Sequence, residues 1–456
     1  MSSLPCPPTP PGILATAGLG HVAAGQGFVC GVLDDATVKC FGTNFDGELG
    51  QGDTTSRGGS PGTMGDALPP VSLGTGRTAV QVAAHPQGYH TCTLLDDGNI
   101  RCFGDNGFGQ LGLGDTATRG SSGNQLGDAL PTVALGSGVA AAAVAVGAYH
   151  TCALLSDGGL KCFGYNYQGQ LGLGVSTLFL GGSSSQLGDS LPAVSLGSGR
   201  TAVAVAAGDG HTCVLLDDFS VKCMGDNSKG QLGLGDTINR GLRPGDMGDA
   251  LPAVSLGSGR TVLAVSAGSL HTCFILDDFS LKCVGDNTWG QLGLGDSVNH
   301  GVSPQQMGDG LPAVSLGTGT VVSSVSCGYR HTCVLLVGGK VKCFGANSNG
   351  QLGLGDTAAR GTLSQHMADA LPFVSLGTGR TAAMVLAGDD ETCVLMDTGG
   401  LRCFGANSGA TVGQLGYGDT LDRGSSANQL GDTLPSVDLG TGRTVALAPF
   451  TIGESN

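Results

Sequence analysis

Seven pairs of cysteines recur along this chain at a nearly fixed interval, each pair enclosing nine residues. Cys30 is followed by Cys40, Cys92 by Cys102, Cys152 by Cys162, Cys213 by Cys223, Cys273 by Cys283, Cys333 by Cys343 and Cys393 by Cys403. Successive pairs begin 62, 60, 61, 60, 60 and 60 residues apart. The text around them repeats too, as in HTCVLLDDFSVKCMGDNSKGQLGLGDT followed by MGDALPAVSLGSGRTAVAV. A period this strict over 456 residues means one supersecondary unit stacked seven times, not two or three independent domains.

Each unit reads as four short strands. TAVAVAAG is a first, HTCVLL a second, VKCMG a third and PAVSLG a fourth, with Asp-Asp-Gly or a similar turn joining second to third. The 84 glycines fit the many tight turns that this needs. One such sheet alone is marginal and exposes both faces. Packing the sheets radially covers those faces, and closing the ring leaves only short edges. The expectation is an all-β, seven-bladed β-propeller of four-stranded antiparallel blades over 18–447. A Pro-rich tail, 1–17, precedes it and a short tail, 448–456, follows. Two segments compete to close the ring: HVAAG near the start and TVALAPF near the end.

The pattern G..HTC.LL.DG.VKCFG.N..GQLG.GD resembles the regulator-of-chromosome-condensation repeat, and the resemblance covers about residues 20–447. It implies a seven-bladed propeller. It is specific for fold and weak for function, because propellers of one shape carry many activities. The chain departs from that pattern in two ways. Phe41, Phe103, Phe163, Met224, Val284, Phe344 and Phe404 stand where the third strand usually has tryptophan. A longer insert, GDTxxRGxxxxxMGDxLP, follows that strand.

Counting around the hairpin turn sets Cys92 opposite Cys102 and Leu94 opposite Ile100. Opposed residues lie close enough for a disulfide in a twisted hairpin. One disulfide per blade is therefore expected, joining the two cysteines of each pair. Reduced structural thiols are the alternative. A metal site using His90, Cys92 and Cys102 is disfavoured, since units one and seven keep the cysteine pair but carry Phe28 and Glu391 in place of histidine. The histidines are expected to be buried donors that tie adjacent loops. No metal and no cofactor is expected. A cation, such as Arg101 or Lys161, precedes every second cysteine but points to the opposite face, which argues against an activated thiol. Cys6 and Cys327 are left over.

In the insert, Asp53 and Arg57, Asp115 and Arg119, Asp236 and Arg240, Asp356 and Arg360, and Asp419 and Arg423 recur four residues apart, with Asp296 and His300 in unit five. Unit three loses both partners together, having Val175 and Phe179, so the two are expected to pair locally. The acids are too sparse for calcium loops. Unit three instead places Leu178 and Phe179 in the loop, either as a contact patch or folded back onto the blade.

Strands alternate in direction, so the loop before the second strand and the loop after the third share one face. The first loop offers Tyr89, Tyr149, Leu270, Tyr329 and Arg330. The second offers Phe45, Phe108, Tyr167 and Trp289, the only tryptophan. Aromatic residues are 5% of the chain, and rings at such positions are typical interface anchors. These nine residues, with Leu178 and Phe179, are the candidate partner-binding set.

No nucleophile–base–acid set recurs and no glycine-rich element has the P-loop lysine, so no catalytic residue is nominated. A net charge of −15 repels nucleic-acid phosphates and anionic lipid. No apolar run is long enough to span a bilayer. The reading is a monomeric, non-catalytic protein-binding propeller scaffold. The family resemblance implies a second reading, a guanine-nucleotide exchange factor for a small GTPase. Clustered rings suggest a third, a carbohydrate-binding surface protein. Seven disulfides imply an extracellular or other oxidising compartment. No signal peptide is visible at the start, and reduced thiols would instead suit the cytoplasm.

Overall fold

The computed structural model describes residues 20–408 and 413–447. The two expected tails and Cys6 lie outside them. Seven antiparallel sheets follow one another along the chain, one per repeat. In the second repeat the inner strand is Ala79–Ala83, the middle strand His90–Leu95 and the outer strand Ile100–Gly104. The inner strands of successive sheets touch, and that of the seventh, Ala382–Ala387, touches that of the first, Val22–Gly25, which closes the ring. The fold is the expected seven-bladed propeller.

The blades differ from expectation in their fourth strand. Six sheets have three strands. PAVSLG and its equivalents run beside the outer strand but make only an isolated ladder bond, as from Val133 N to Ile100 O, 2.8 Å. Proline and the following turn prevent a continuous ladder there. At the other end of the outer strand, Arg119 bridges Gly104. Among the described residues only the third blade completes a fourth strand, and it uses Phe179–Leu180, paired with Tyr165 and Gly164. The loss of the Asp/Arg pair in that repeat frees its loop to extend.

Both terminal segments close the ring. Val22–Gly25 supplies most of the inner strand of the first blade. Val445 bridges Leu33, and Ala446 N donates to Val32 O at 3.0 Å. Every other blade with an inner strand makes that strand continuous but bulged after its first residue. In the first blade the chain break falls at that bulge, so Val445 stands where Ala79 stands in the second. His21 Nδ1 donates to Ala446 O at 2.9 Å. Arg443 pairs with Asp35 at 2.8 Å, as Arg77 pairs with Asp97.

Hydrophobic clusters fill the gaps between blades, each mixing residues from two neighbours. The cysteines lie within them. In every blade the middle-strand cysteine faces the outer-strand cysteine in register, as Cys92 faces Cys102. The expected disulfides form in all seven blades, with Cα–Cα distances of 4.0–4.1 Å. Cys30 is bonded to Cys40, Cys92 to Cys102, Cys152 to Cys162 and Cys213 to Cys223. Cys273 is bonded to Cys283, Cys333 to Cys343 and Cys393 to Cys403.

The preceding cations serve the backbone. Lys161 Nζ donates to Leu135 O at 2.7 Å and Gly188 O at 2.9 Å, fastening the inserts on either side of its blade. The insert pairs form as expected: Arg57–Asp53, Arg119–Asp115, Arg240–Asp236, Arg360–Asp356 and Arg423–Asp419 at 2.5–2.7 Å, and His300–Asp296 at 3.2 Å.

The histidines tie blades together. His90, His150, His211, His271 and His331 each place Nε2 2.8–2.9 Å from the hydroxyl of the threonine that is second in the next blade's middle strand. Each such threonine donates its only hydroxyl proton to a glutamine carbonyl, as Thr151 does to Gln110 at 2.8 Å. The histidine is therefore the donor, neutral and protonated on Nε2. Burial holds these imidazoles far below their ordinary pKa, to about 3 for His90, His150 and His271 and about 4 for His211 and His331.

Candidate functional site

Each inner strand ends in a short loop that turns at the mouth of the central channel before the middle strand begins. The loop after each outer strand reaches the same mouth. In the second of these loops the asparagine and glutamine of the repeat are buried and hold the backbone. Asn106 Nδ2 donates to Asp115 O, its Oδ1 accepts from Leu111 N, and Gln110 Oε1 accepts from Phe108 N. With these polar side chains turned inward, the residues between them carry the loop's variable side chains. The two residues that follow the asparagine include Phe45 and Tyr167 at the first place and Phe108, Lys229 and Trp289 at the second.

The candidate rings fall into two groups. Phe108 sits at the centre of the first. Its ring lies 5.6 Å from Tyr149 in an edge-on arrangement, 4.7 Å from Tyr165 and 6.2 Å from Phe179. Tyr149 and Tyr165 are 6.3 Å apart, and Tyr167 stacks on Tyr165 at 6.2 Å. Tyr165 extends the set read from sequence. Its signal was available, because Thr43, Asp105, Asp226, Asp286, Ala346 and Ala406 occupy its place in the other repeats. In the second group Arg330 lies over Tyr329 at 4.3 Å and over Trp289 at 5.6 Å. Its guanidinium also donates to Tyr329 Oη at 2.7 Å.

Tyr89 and Leu270 join neither group but line one cavity with Tyr149 and Tyr165. Phe45 stands exposed at the rim, 59% accessible, beside a loop pinned by Glu48. Leu178 is half exposed, whereas Phe179 packs back onto Phe108 through its short strand. Trp289 and Tyr167 keep 41% and 65% of their surface accessible.

An acidic element at the mouth is not among the sequence candidates. Asp209 Oδ2 accepts from Ser269 Oγ. Asp389 Oδ1 accepts from Gln87 Nε2 at 2.7 Å, spanning the mouth from the second blade to the seventh. Burial raises Asp389 to about 7, helped by Asp390 and opposed by Arg330. Burial likewise raises Asp209 to about 6. The repeat pattern marks these positions, since Gly388-Asp389-Asp390-Glu391 stands where four repeats end their loop in histidine directly after two variable residues.

Among the described residues one group brings three potential metal ligands together. His271, Cys273 and Cys327 lie within 4.8 Å of one another, but Cys273 is disulfide-bonded and offers no thiolate. Cys327 is buried and its thiol is pushed up to about 12. In the insert loops the Asp53 carboxylate is already taken by Arg57, Thr55 N and Asn44.

Residues 5–381 match the model of the RCC1-like domain family. The ultraviolet-B receptor UVR8 of Arabidopsis thaliana is 30% identical over 403 residues, spanning 88% of this chain and 79% of that protein. The human probable E3 ubiquitin-protein ligase HERC4 is 31% identical over 220 residues, 48% of this chain but only 18% of that protein. Among solved structures, human WBSCR16 aligns with a TM-score of 0.62 at 21% identity, covering 84% of this chain and 90% of that one. Yeast RCC1 (Prp20), solved bound to Kap60, aligns with a TM-score of 0.61 at 16% identity, covering 92% and 88%.

Proposed function

The chain belongs to the RCC1-like domain family, and from that premise we propose that it is a monomeric, non-catalytic propeller that captures a protein partner on its channel mouth. The observation that carries this reading is the concentration of scarce rings there. Aromatic residues form 5% of the chain, yet the mouth loops bring together Phe108, Tyr149, Tyr165 and Tyr167 from two blades, and Trp289 with Arg330 from two others. Tyrosine, tryptophan and arginine dominate the energetics of protein interfaces because they bury large areas and carry a polar handle. Yeast RCC1 (Prp20), whose fold this chain resembles, is solved bound to Kap60 and is described for binding Gsp1p and histones. The seven disulfides suit an oxidising compartment. Among the described residues no helix is long and apolar enough to cross a membrane.

The test compares proteins captured by the wild type and by a variant with Tyr149→Ala, Tyr167→Ala and Trp289→Ala. A protein held by the first and lost by the second, at unchanged melting temperature, supports the reading. A partner retained by the variant moves the site elsewhere. Accelerated nucleotide release from a small GTPase would replace the non-catalytic reading with exchange activity, and saturable glycan binding would replace the protein partner with a carbohydrate.

A further inference from the structure

Between the mouth loops of the first five blades lies a cavity of 490 Å³. Its walls are the rings of Tyr89, Tyr149 and Tyr165, with Leu270 closing one side, and Asp209 and Asp226 lie among them. We propose that this cavity receives a protonated amine or guanidinium side chain of a protein partner, a lysine or arginine inserted between the tyrosines toward Asp209. The proposal rests on the partner-capture reading above and specifies its chemistry.

Three observations point the same way. The first is the state of Asp209. Its Oδ2 is held by Ser269, but its Oδ1 has no hydrogen-bond donor. The nearest polar atom of its neighbour His85 is Nδ1, 3.5 Å away. That nitrogen accepts the Gln87 backbone N–H at 3.2 Å, so it bears no proton and presents a lone pair. A buried carboxylate oxygen facing a lone pair lacks a donor, and an incoming N–H⁺ supplies one. Asp226, by contrast, already accepts from Ser228 and Gln231.

The second is the wall chemistry. Ring faces attract a cation through their quadrupole, and three tyrosines around one carboxylate form the kind of cage that holds ammonium groups. Tyr149 and Tyr165 are already fixed at 6.3 Å by packing on Phe108, so little ordering is required when a side chain enters. The third is the field. Among the described residues of the mouth loops, acidic residues, Asp105, Asp226 and Asp286 among them, outnumber the two lysine or arginine side chains, Lys229 and Arg330. Arg330 is engaged with Tyr329 and Trp289. A cationic segment is therefore steered toward the mouth.

The test titrates the intact protein with N-acetyl-lysine methylamide, N-acetyl-arginine methylamide and the uncharged isostere N-acetyl-norleucine methylamide, followed by saturation-transfer NMR. Both cationic probes are expected to bind one saturable site, with the isostere at least tenfold weaker. Asp209→Asn keeps the Ser269 contact within reach and should weaken the cationic probes at least tenfold. Tyr149→Ala should do likewise. Val337→Ala, at an exposed hairpin turn away from the mouth, should have no effect. Equal binding of the isostere, full binding by Asp209→Asn, or no saturable binding by the wild type overturns the proposal. Trp289 does not line the cavity, which separates the two readings. Probes that fail while Trp289→Ala still lowers partner capture remove the pocket and leave the capture face. Probes that bind while the ring variants capture normally do the reverse.

Discussion

His150 Nε2 lies 2.9 Å from Thr212 Oγ1, a hydrogen bond that joins the third blade to the fourth in a fully buried seam. Thr212 passes its own proton to Gln170 O at 2.9 Å, back in the third blade. One hydroxyl thus bridges two groups of the preceding blade, and the arrangement repeats through five seams. Thr212→Val preserves shape but strands the His150 N–H and removes a donor from the Gln170 carbonyl. Unpaired buried groups of this kind cost about 1–3 kcal/mol each. The variant should lose about 2–4 kcal/mol in chemical denaturation. A loss under about 0.5 kcal/mol would mean that the seam is held by apolar packing alone.

The same histidines set an acid limit. Their folded values, about 3 to 4, lie below the ordinary 6.5. The unfolded chain therefore takes up protons first as pH falls, and stability is lost from about pH 6.5 downward. Asp209, Asp389 and Glu391 act oppositely, because their raised values make the folded state the better proton acceptor over part of that window. His21 and His85 are lowered as well, and Asp46, Glu48 and Asp390 raised, so seven histidines stand against six acids and the balance favours loss. The melting temperature should fall steadily between pH 6.5 and 4, and His150→Gln should flatten the slope. A melting temperature independent of pH over that range would contradict buried neutral imidazoles.

The repeat period carried most of the fold. Cys92 opposite Cys102, the paired Asp53 and Arg57, and the ring of seven units all follow from spacing, because register and local pairing are short-range consequences of sequence. Two features were not legible for a physical reason. The fourth strand fails because a proline-led segment satisfies its backbone by scattered bonds, as Val133 does, and periodicity does not distinguish that from a ladder. The destination of His150 is a residue 62 positions away in the next blade, which no local pattern specifies. The mouth was half legible. Strand parity placed Tyr149 and Trp289 on one face, but Tyr165 and the Asp209–Ser269 contact emerge only when neighbouring blades are brought together.

The disulfides should make the thiol chemistry all-or-none. Every paired cysteine is at most 2% exposed. Without reductant, alkylation of the folded chain should leave Cys327 unmodified, since its thiol is buried and held up to about 12. Unfolding without reductant should expose Cys327 while the fourteen paired sulfurs stay protected. Peptide mapping reads this directly, and modification of Cys92 or Cys102 before reduction would refute the cross-link. Replacing one pair, such as Cys152 and Cys162, by alanines should cost about 2–3 kcal/mol, the loop-closure entropy of so short a ring.

The closing seam between the seventh and first blades lacks the histidine–threonine bond, and this makes a directional prediction. Glu391 occupies the histidine position and Val29 the threonine position. Glu391 is 1% exposed, and the backbone N–H groups of Asp389 and Asp390 favour its charged form less than burial opposes it. Burial, reinforced by Asp389 and Asp390, holds its pKa well above 4.5, so the folded state keeps the proton that the unfolded chain releases. Its contribution is greatest below the unfolded value and is lost as pH rises past it. Glu391→Gln should therefore raise the melting temperature at pH 7 and change it little at pH 4. Combining Glu391→His with Val29→Thr rebuilds the bond found in five other seams. That pair should stabilise at pH 7 by more than the sum of its single changes, because either residue alone lacks its partner. Additive single changes would show that the seam's geometry differs from the others, and a Glu391→Gln effect equal at both pH values would show that the carboxyl is already charged when folded.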